Sequence, residues 1–317
     1  MKTRERTIYF YDTRVQAKTR SDGIETPSCI SMREVLTLIS KLDLKGRHGA
    51  FQRAETELFQ IQDFHFNPAT CELQLLINHA DKALADPVFK NFENRRVRNA
   101  GKEAIEGIDV SAHVLIRPST MDTHEALLLV TYGSGVTAKL IEWLLGKLMG
   151  LAGGDVRNKS FFEFRHPSGE AGKFYSVKYR FECVGHKSQK LSDDLVRGNL
   201  QSVELISKEP SSIDAGSSFF VATRTLNIKP VSTAHPTLGA VISAVRTVTK
   251  STHERYDSVR VRFKDANDTQ REELFAANDL EAAFVRKERL KFDTDLPSQQ
   301  IRINRTIMTA MRELCDE

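Results

Sequence analysis

The chain has 317 residues, 40% hydrophobic and 28% charged, with 46 Lys and Arg against 42 Asp and Glu for a formal net charge of +4. That length accommodates one large globular domain or two of about 150 residues, and the mild basic excess permits an acidic partner without demanding one. No apolar run approaches the roughly 20 residues that span a bilayer, since Glu142 and Lys147 interrupt the longest, near Leu140, so membrane insertion is not expected.

The opening MKTRERTIYFYD has a charged start but no apolar h-region, which speaks against a secretory signal and for a cytoplasmic location. Within it, β-branched and aromatic residues from Thr7 to Tyr11 read as a first strand, and polar Gln16–Ser28 as a loop. Ser31 and Glu34 form a capping box ahead of Met32, Val35, Leu36, Ile39 and Leu42, predicting a helix that ends near Lys45-Gly46. Alternating segments from Glu57 to Phe66 and Leu73 to Ile77 flank Asn67-Pro68-Ala69-Thr70 and predict a hairpin. Between Phe89 and Ile108, Arg95, Arg96, Arg98 and Lys102 outnumber Glu93, Glu103 and Glu106. Such a run is a solvated loop or a mobile basic arm that reaches a nucleic-acid backbone. Asp109–Arg117 then reads as a strand.

In the stretch Asp122–Met149, Val136, Leu140, Ile141, Leu144, Leu145 and Leu148 recur at the spacing of one helix face. The shorter apolar block Leu127–Val130 reads as a first helix capped by Asp122 or Thr123, and Gly133-Ser134-Gly135 as the turn, giving a central αα-hairpin. Gly133-Ser134-Gly135-Val136-Thr137-Ala138-Lys139 resembles the turn of helix-hairpin-helix DNA-backbone readers, one residue shorter than their Gly-x-Gly-x-x-Thr-Ala. The resemblance covers about a tenth of the chain. It implies a phosphate held by the backbone N–H groups of Gly133 and Gly135, with Lys139 adding a charge.

Gly153-Gly154 marks the expected boundary between an N-terminal α+β domain (1–152) and a C-terminal one (153–317). Beyond it, Ser160–Phe164 and Phe174–Phe181 read as a hairpin around His166–Gly172. A short helix is expected at Leu191–Val196, strands at Ser202–Ile206 and Phe219–Ile228, and an amphipathic helix from Leu238 to Val248. Alternation in Val259–Lys264 puts Arg260, Arg262 and Lys264 on one strand face, and Lys178 and Arg180 lie likewise opposite Val177, Tyr179 and Phe181. A last helix starts at Asn304 and buries Ile307, Met308, Met311 and Leu314. The fold class is α+β, with antiparallel hairpins and sheets, several amphipathic helices and the central αα-hairpin.

Chemistry is sparse. The nearest match to a metal-dependent nuclease is Asp155 with Glu163-Phe164-Arg165, where arginine stands in place of the lysine that supports the attacking water. His113 and His124 have no metal-ligand spacing, and Cys29, Cys71, Cys183 and Cys315 include no Cys-x-x-Cys pair. Neither a Gly-x-Ser-x-Gly elbow nor a Walker lysine is present. Trp143 and the Phe-rich strands are read as core. In general style, the whole chain resembles uncharacterised phage, prophage and antiviral-defence proteins, without a specific motif. The expectation is a non-enzymatic nucleic-acid-binding protein that contacts the DNA backbone, without metal or cofactor, in antiphage defence or phage biology. Its candidate contacts are Gly133, Gly135, Lys139, Arg95, Arg96, Arg98, Lys178, Arg180, Arg260, Arg262 and Lys264. An interaction subunit of a larger protein complex and the Asp155–Glu163 nuclease are the alternatives, and a homo-oligomer is left open.

Overall fold

The computed structural model describes residues 4–19, 21, 24–53, 55–119, 123–133, 135–166, 173–186, 199–207, 211–212, 220–221, 224–229, 243, 247–248, 256, 258–264, 270–276 and 286–316. The chain forms two compact units: Met1–Val184 together with Lys287–Glu317, and the inserted Gly185–Arg286. The boundary expected at Gly153-Gly154 therefore falls inside the first unit. Pairing across the insertion explains this, since strands from both of its flanks add to the first strand of the chain.

In order, the first unit comprises β1 (Glu5–Thr19), α1 (Met32–Ser40), β2 (Ala50–Gln52), β3 (Glu57–Asn67), β4 (Glu72–Asp81), β5 (Val88–Lys90), β6 (Val97–Asn99), β7 (Ile108–Pro118), β8 (Glu125–Thr131) and α2 (Ala138–Ala152). A 3-10 turn (Val156–Asn158), α3 (Lys159–Phe162), β9 (Glu163–Phe164) and β10 (Tyr175–Gly185) follow. The inserted unit carries β11 (Asn199–Ser207), β12 (Ser211–Ser212), β13 (Phe220–Val221), β14 (Arg224–Ile228), β15 (Ser258–Lys264) and β16 (Gln270–Ala276); β17 (Lys287–Lys291) and α4 (Arg305–Glu313) complete the first. The fold is α+β, with few helices.

Nine strands make the main sheet, in the order β2-β3-β4-β7-β8-β1-β10-β9, with β17 also paired to β1. One face carries Phe59, Ile61, Leu73, Leu75, Ile77, Val114, Ile116, Leu128 and Val130, covered by α1 and by Leu140, Ile141, Leu144, Leu145 and Leu148 of α2. The other carries Ile8, Phe10, Leu115 and Leu129 beneath Ile307, Met308 and Met311 of α4. Each such side chain, fully buried, contributes about 1.5–3 kcal/mol over its exposed state.

Two-sided cover explains the principal correction to the expected elements. Leu127–Val130 belongs to strand β8, paired with both β7 and β1, so the glycine turn joins strand to helix and there is no αα-hairpin. A strand buried on both faces is apolar at consecutive positions, and periodicity does not separate such a run from a helix. The segment expected as a strand from Ser160 is instead α3 up to Phe162, with β9 only two residues long.

Other local signals form as the side chains require. Ser31 Oγ accepts the Glu34 N–H at 3.3 Å while Glu34 Oε2 accepts the Ser31 N–H at 2.7 Å, closing the capping box of α1. Asn304 caps α4 through the Ile307 N–H at 3.2 Å. The β3–β4 turn is held by Asn67, whose side chain accepts the Ala69 N–H at 3.0 Å.

In the inserted unit the antiparallel order is β14-β11-β15-β16, and β12 pairs β13. The helix expected at Leu191–Val196 lies outside the described residues. Of the one expected over Leu238–Val248, only Ser243, Thr247 and Val248 are described, and they are helical. No helix among the described residues is long and apolar enough to cross a membrane.

Candidate nucleic-acid interface

Between β4 and β7 the chain leaves the sheet as a two-stranded arm, in which Val88 pairs with Asn99, Phe89 with Arg98 and Lys90 with Val97. Asn91 organises its tip: the Asn91 N–H donates to Arg96 O at 2.9 Å, Arg95 N–H to Asn91 O at 3.0 Å, and Asn91 Oδ1 accepts the N–H groups of Glu93 and Asn94 at 2.8 and 3.0 Å. Arg95 takes a left-handed φ of 60° to complete the reversal. At the base, Lys102 Nζ donates to Leu84 O at 2.6 Å and Asp86 Oδ1 at 3.2 Å, which ties the two legs together. The segment read as a solvated loop or mobile arm is thus an ordered hairpin.

Its surface combines cations with apolar rings. Lys90, Arg95, Arg96 and Arg98 face only Glu93 as a local acid between Val88 and Asn99. Phe92 at the tip is 98% exposed, Phe89 is 51% exposed, and the Arg98 guanidinium lies 4.8 Å from the centroid of the Phe89 ring. Val88, Val97 and Ile105 are also exposed. Leaving such large apolar area in water costs free energy unless a partner covers it.

The other candidate cations sit differently. Arg260 meets Glu204 at 2.9 Å and Glu272 at 3.0 Å, and Arg262 meets the same carboxylates at 2.6 and 2.8 Å. The neighbours of β15, β11 and β16, supply these acids, so Arg260 and Arg262 of the expected basic row are neutralised across the sheet, while Lys264 stands opposite Gln270. Lys139 pairs with Glu142 at 2.9 Å within α2. Lys178 and Arg180 do lie on the exposed face of β10.

The glycine turn has a structural explanation. Gly135 has φ +83°, and a Cβ there would come 1.9 Å from His79 Nδ1; one at Gly133 would meet Ser111 O at 3.2 Å. Both glycines let the turn cross the β4–β7 part of the sheet closely. The His79 ring itself stacks on Phe59 at 4.4 Å. Thr137 is the N-cap of α2, its side chain accepting the Leu140 N–H at 3.2 Å.

Asp155 and Glu163 each pair with a cation of their own segment. Asp155 caps the 3-10 turn and is gripped by its neighbour Arg157, whose side-chain hydrogen bonds hold its pKa at about 2. Glu163 lies 3.4 Å from Lys159. Among the described residues no group of three or more His, Cys, Asp or Glu is placed to hold a metal ion.

Two buried polar sites tie the sheet to α4. Glu72 receives Gln74 Nε2 at 2.8 Å, Arg312 Nε at 2.6 Å and Arg117 Nη2 at 3.0 Å. Burial alone would raise its pKa, but these hydrogen bonds outweigh it and hold the carboxyl below its usual range. His113, 2% exposed, accepts the Asn304 N–H at Nε2 over 2.9 Å. Desolvation, then the charge of Arg6, push its pKa down to about 4.

Sequence reasoning named Arg95, Arg96 and Arg98 but not Lys90, Phe89 and Phe92, which share their hairpin. The available signal was Val-Phe-Lys at 88–90, a short β-prone run ahead of the turn-forming Asn91 and Asn94. Comparison with protein-family models, curated proteins and solved structures finds no match to the chain.

Proposed function

We propose that the protein binds single-stranded nucleic acid through the β5–β6 arm, with Phe92 and Phe89 stacking on unpaired bases and Lys90, Arg95 and Arg96 contacting phosphates. The observation that carries this reading is the exposed aromatic tip set among four cations and one acid, Glu93, the combination by which proteins hold single strands without reading sequence. A duplex offers its phosphates but not its base faces, so single-stranded DNA or RNA is the favoured ligand. The setting in antiphage defence or phage biology rests only on the general style of the chain.

Titration with labelled single-stranded DNA, single-stranded RNA and duplex DNA tests the reading. Phe92→Ala is expected to weaken single-strand binding by the about 1–3 kcal/mol of one lost stack, roughly 5- to 150-fold. Removing Arg95 and Arg96 together should lower the salt slope by about 1.4, at roughly 0.7 per phosphate contact. Absence of binding to any of the three at low salt refutes it. The exposed Val88, Val97 and Ile105 favour a second reading, a protein partner docked on the arm. That reading gains if apolar substitutions abolish a complex that arginine substitutions and salt leave unchanged.

A further inference from the structure

The outer edge of β10 forms a groove with α2. On that edge β9 pairs only with Tyr175 and Ser176, and among the described residues no strand continues the ladder from Val177 onward. Cys183 shows which way the backbone groups point: its N–H donates at 2.7 Å to Glu142 of α2 and not to a strand. Burial alternates without interruption from Tyr175 to Val184, so the N–H and C=O groups of Val177, Tyr179 and Phe181 point the same outward way.

Beside this edge lies a cavity of about 300 Å³, lined by Ser176–Tyr179 on one side and by Gly146, Met149, Gly150 and Phe162 among those on the other. A Cβ at Gly146 or Gly150 would meet nothing within 4 Å. These helix-interior glycines, each about 1 kcal/mol worse than alanine, are therefore not required by any neighbour; they leave the space beside the strand open. Glu163, at one end, is paired with Lys159 at 3.4 Å.

We propose that this groove takes an extended peptide of a partner protein, which adds as a strand to β10 and carries two acidic residues at alternate positions, beside Lys178 and Arg180 and short of Glu182 on the same exposed face. A strand–helix groove supplies main-chain hydrogen bonds for affinity and side-chain environments for specificity. On the solvent face, the peptide's side chains come beside Lys178 and Arg180, which select carboxylates. On the inner face, its alternate side chains meet Met149, Phe162 and the glycine surface, which select small apolar groups. The proposal is independent of the arm.

Selection of a random displayed-peptide library on the full chain tests it. The expected result is a motif with two Asp or Glu residues at alternate positions, alternating with small apolar residues. Bound synthetic peptide should slow amide exchange at Val177, Tyr179 and Phe181, since new ladder bonds protect those amides. Gly150→Leu, which fills the groove, should weaken the peptide at least about tenfold, with Gly150→Ala as a folding control. Lys178→Glu with Arg180→Glu, both exposed and tolerable to the fold, should convert the preference to Lys and Arg. The proposal is overturned if no alternating acidic motif emerges, if selected peptides bind the Gly150→Leu and charge-reversed proteins as tightly, or if the edge instead closes on a second copy, seen as a dimer lost in Gly150→Leu.

Discussion

Replacing His113 with glutamine removes a titrating group while keeping an acceptor for the Asn304 N–H that starts α4. The wild-type ring is buried and accepts that N–H at 2.9 Å; a protonated ring would set donor against donor. Because the folded-state pKa is pushed down to about 4 and that of the unfolded chain is about 6.5, its contribution is fully present above about pH 6.5 and is lost as pH falls toward 4. The whole difference corresponds to roughly 3 kcal/mol at about 1.36 kcal/mol per pH unit. Between about pH 7.5 and pH 4.5 the loss is about 2.5 kcal/mol. Urea unfolding followed by fluorescence of Trp143, the single tryptophan, reports on the first unit. Wild type should lose about 2.5 kcal/mol more than His113→Gln across that interval, and carboxylates that titrate in both proteins cancel. Equal losses would refute a neutral, acceptor His113.

Other perturbations separate structure from binding. Glu72→Ala removes the acceptor shared by Gln74, Arg117 and Arg312 but leaves Arg117 paired with Asp316 and both guanidinium groups partly exposed, so it should destabilise by about 1–3 kcal/mol in urea unfolding. Gly135→Ala combines a left-handed φ with a clash against His79, so thermal unfolding should show a loss of at least about 1–3 kcal/mol. Any accompanying weakening of nucleic-acid binding should track the unfolded fraction. Lys139→Ala should change stability by no more than about 0.5 kcal/mol and leave oligonucleotide affinity and salt slope unchanged. Arg262→Ala should lower the stability of the inserted unit, because Glu204, 6% exposed, loses one of its two arginines, and should likewise leave oligonucleotide affinity unchanged in anisotropy titrations.

Local signals in this chain were legible wherever the deciding partner lies within a few residues. Ser31 and Glu34 specify the start of α1, Asn304 the start of α4, and Asn67 the β3–β4 turn, each through a hydrogen bond to a backbone group two or three positions on. Leu127–Val130 was not, because its identity as a strand depends on β1 and β7 and on apolar cover from both sides. The inserted unit was equally hidden, since nothing local to Lys287–Lys291 states that it returns to pair with Glu5–Tyr9. At the candidate sites the same rule holds. Alternation placed Arg260 and Arg262 on one face correctly, but Glu204 and Glu272 neutralise them across strand registers that sequence spacing does not encode. Phe89 and Phe92 escaped notice because exposed aromatic residues follow no core periodicity.

Photo-crosslinking of a thiothymidine-containing single strand to the full-length protein, with the attached peptides identified by mass spectrometry, asks directly where nucleic acid lies. An oligonucleotide longer than a binding site of roughly 4–16 nucleotides should attach within residues 88–99, centred on Phe89 and Phe92, and attachment should fall with rising salt. Crosslinks confined to the Gly133–Lys139 turn or to Arg260–Lys264, with none on the arm, would contradict the assignment.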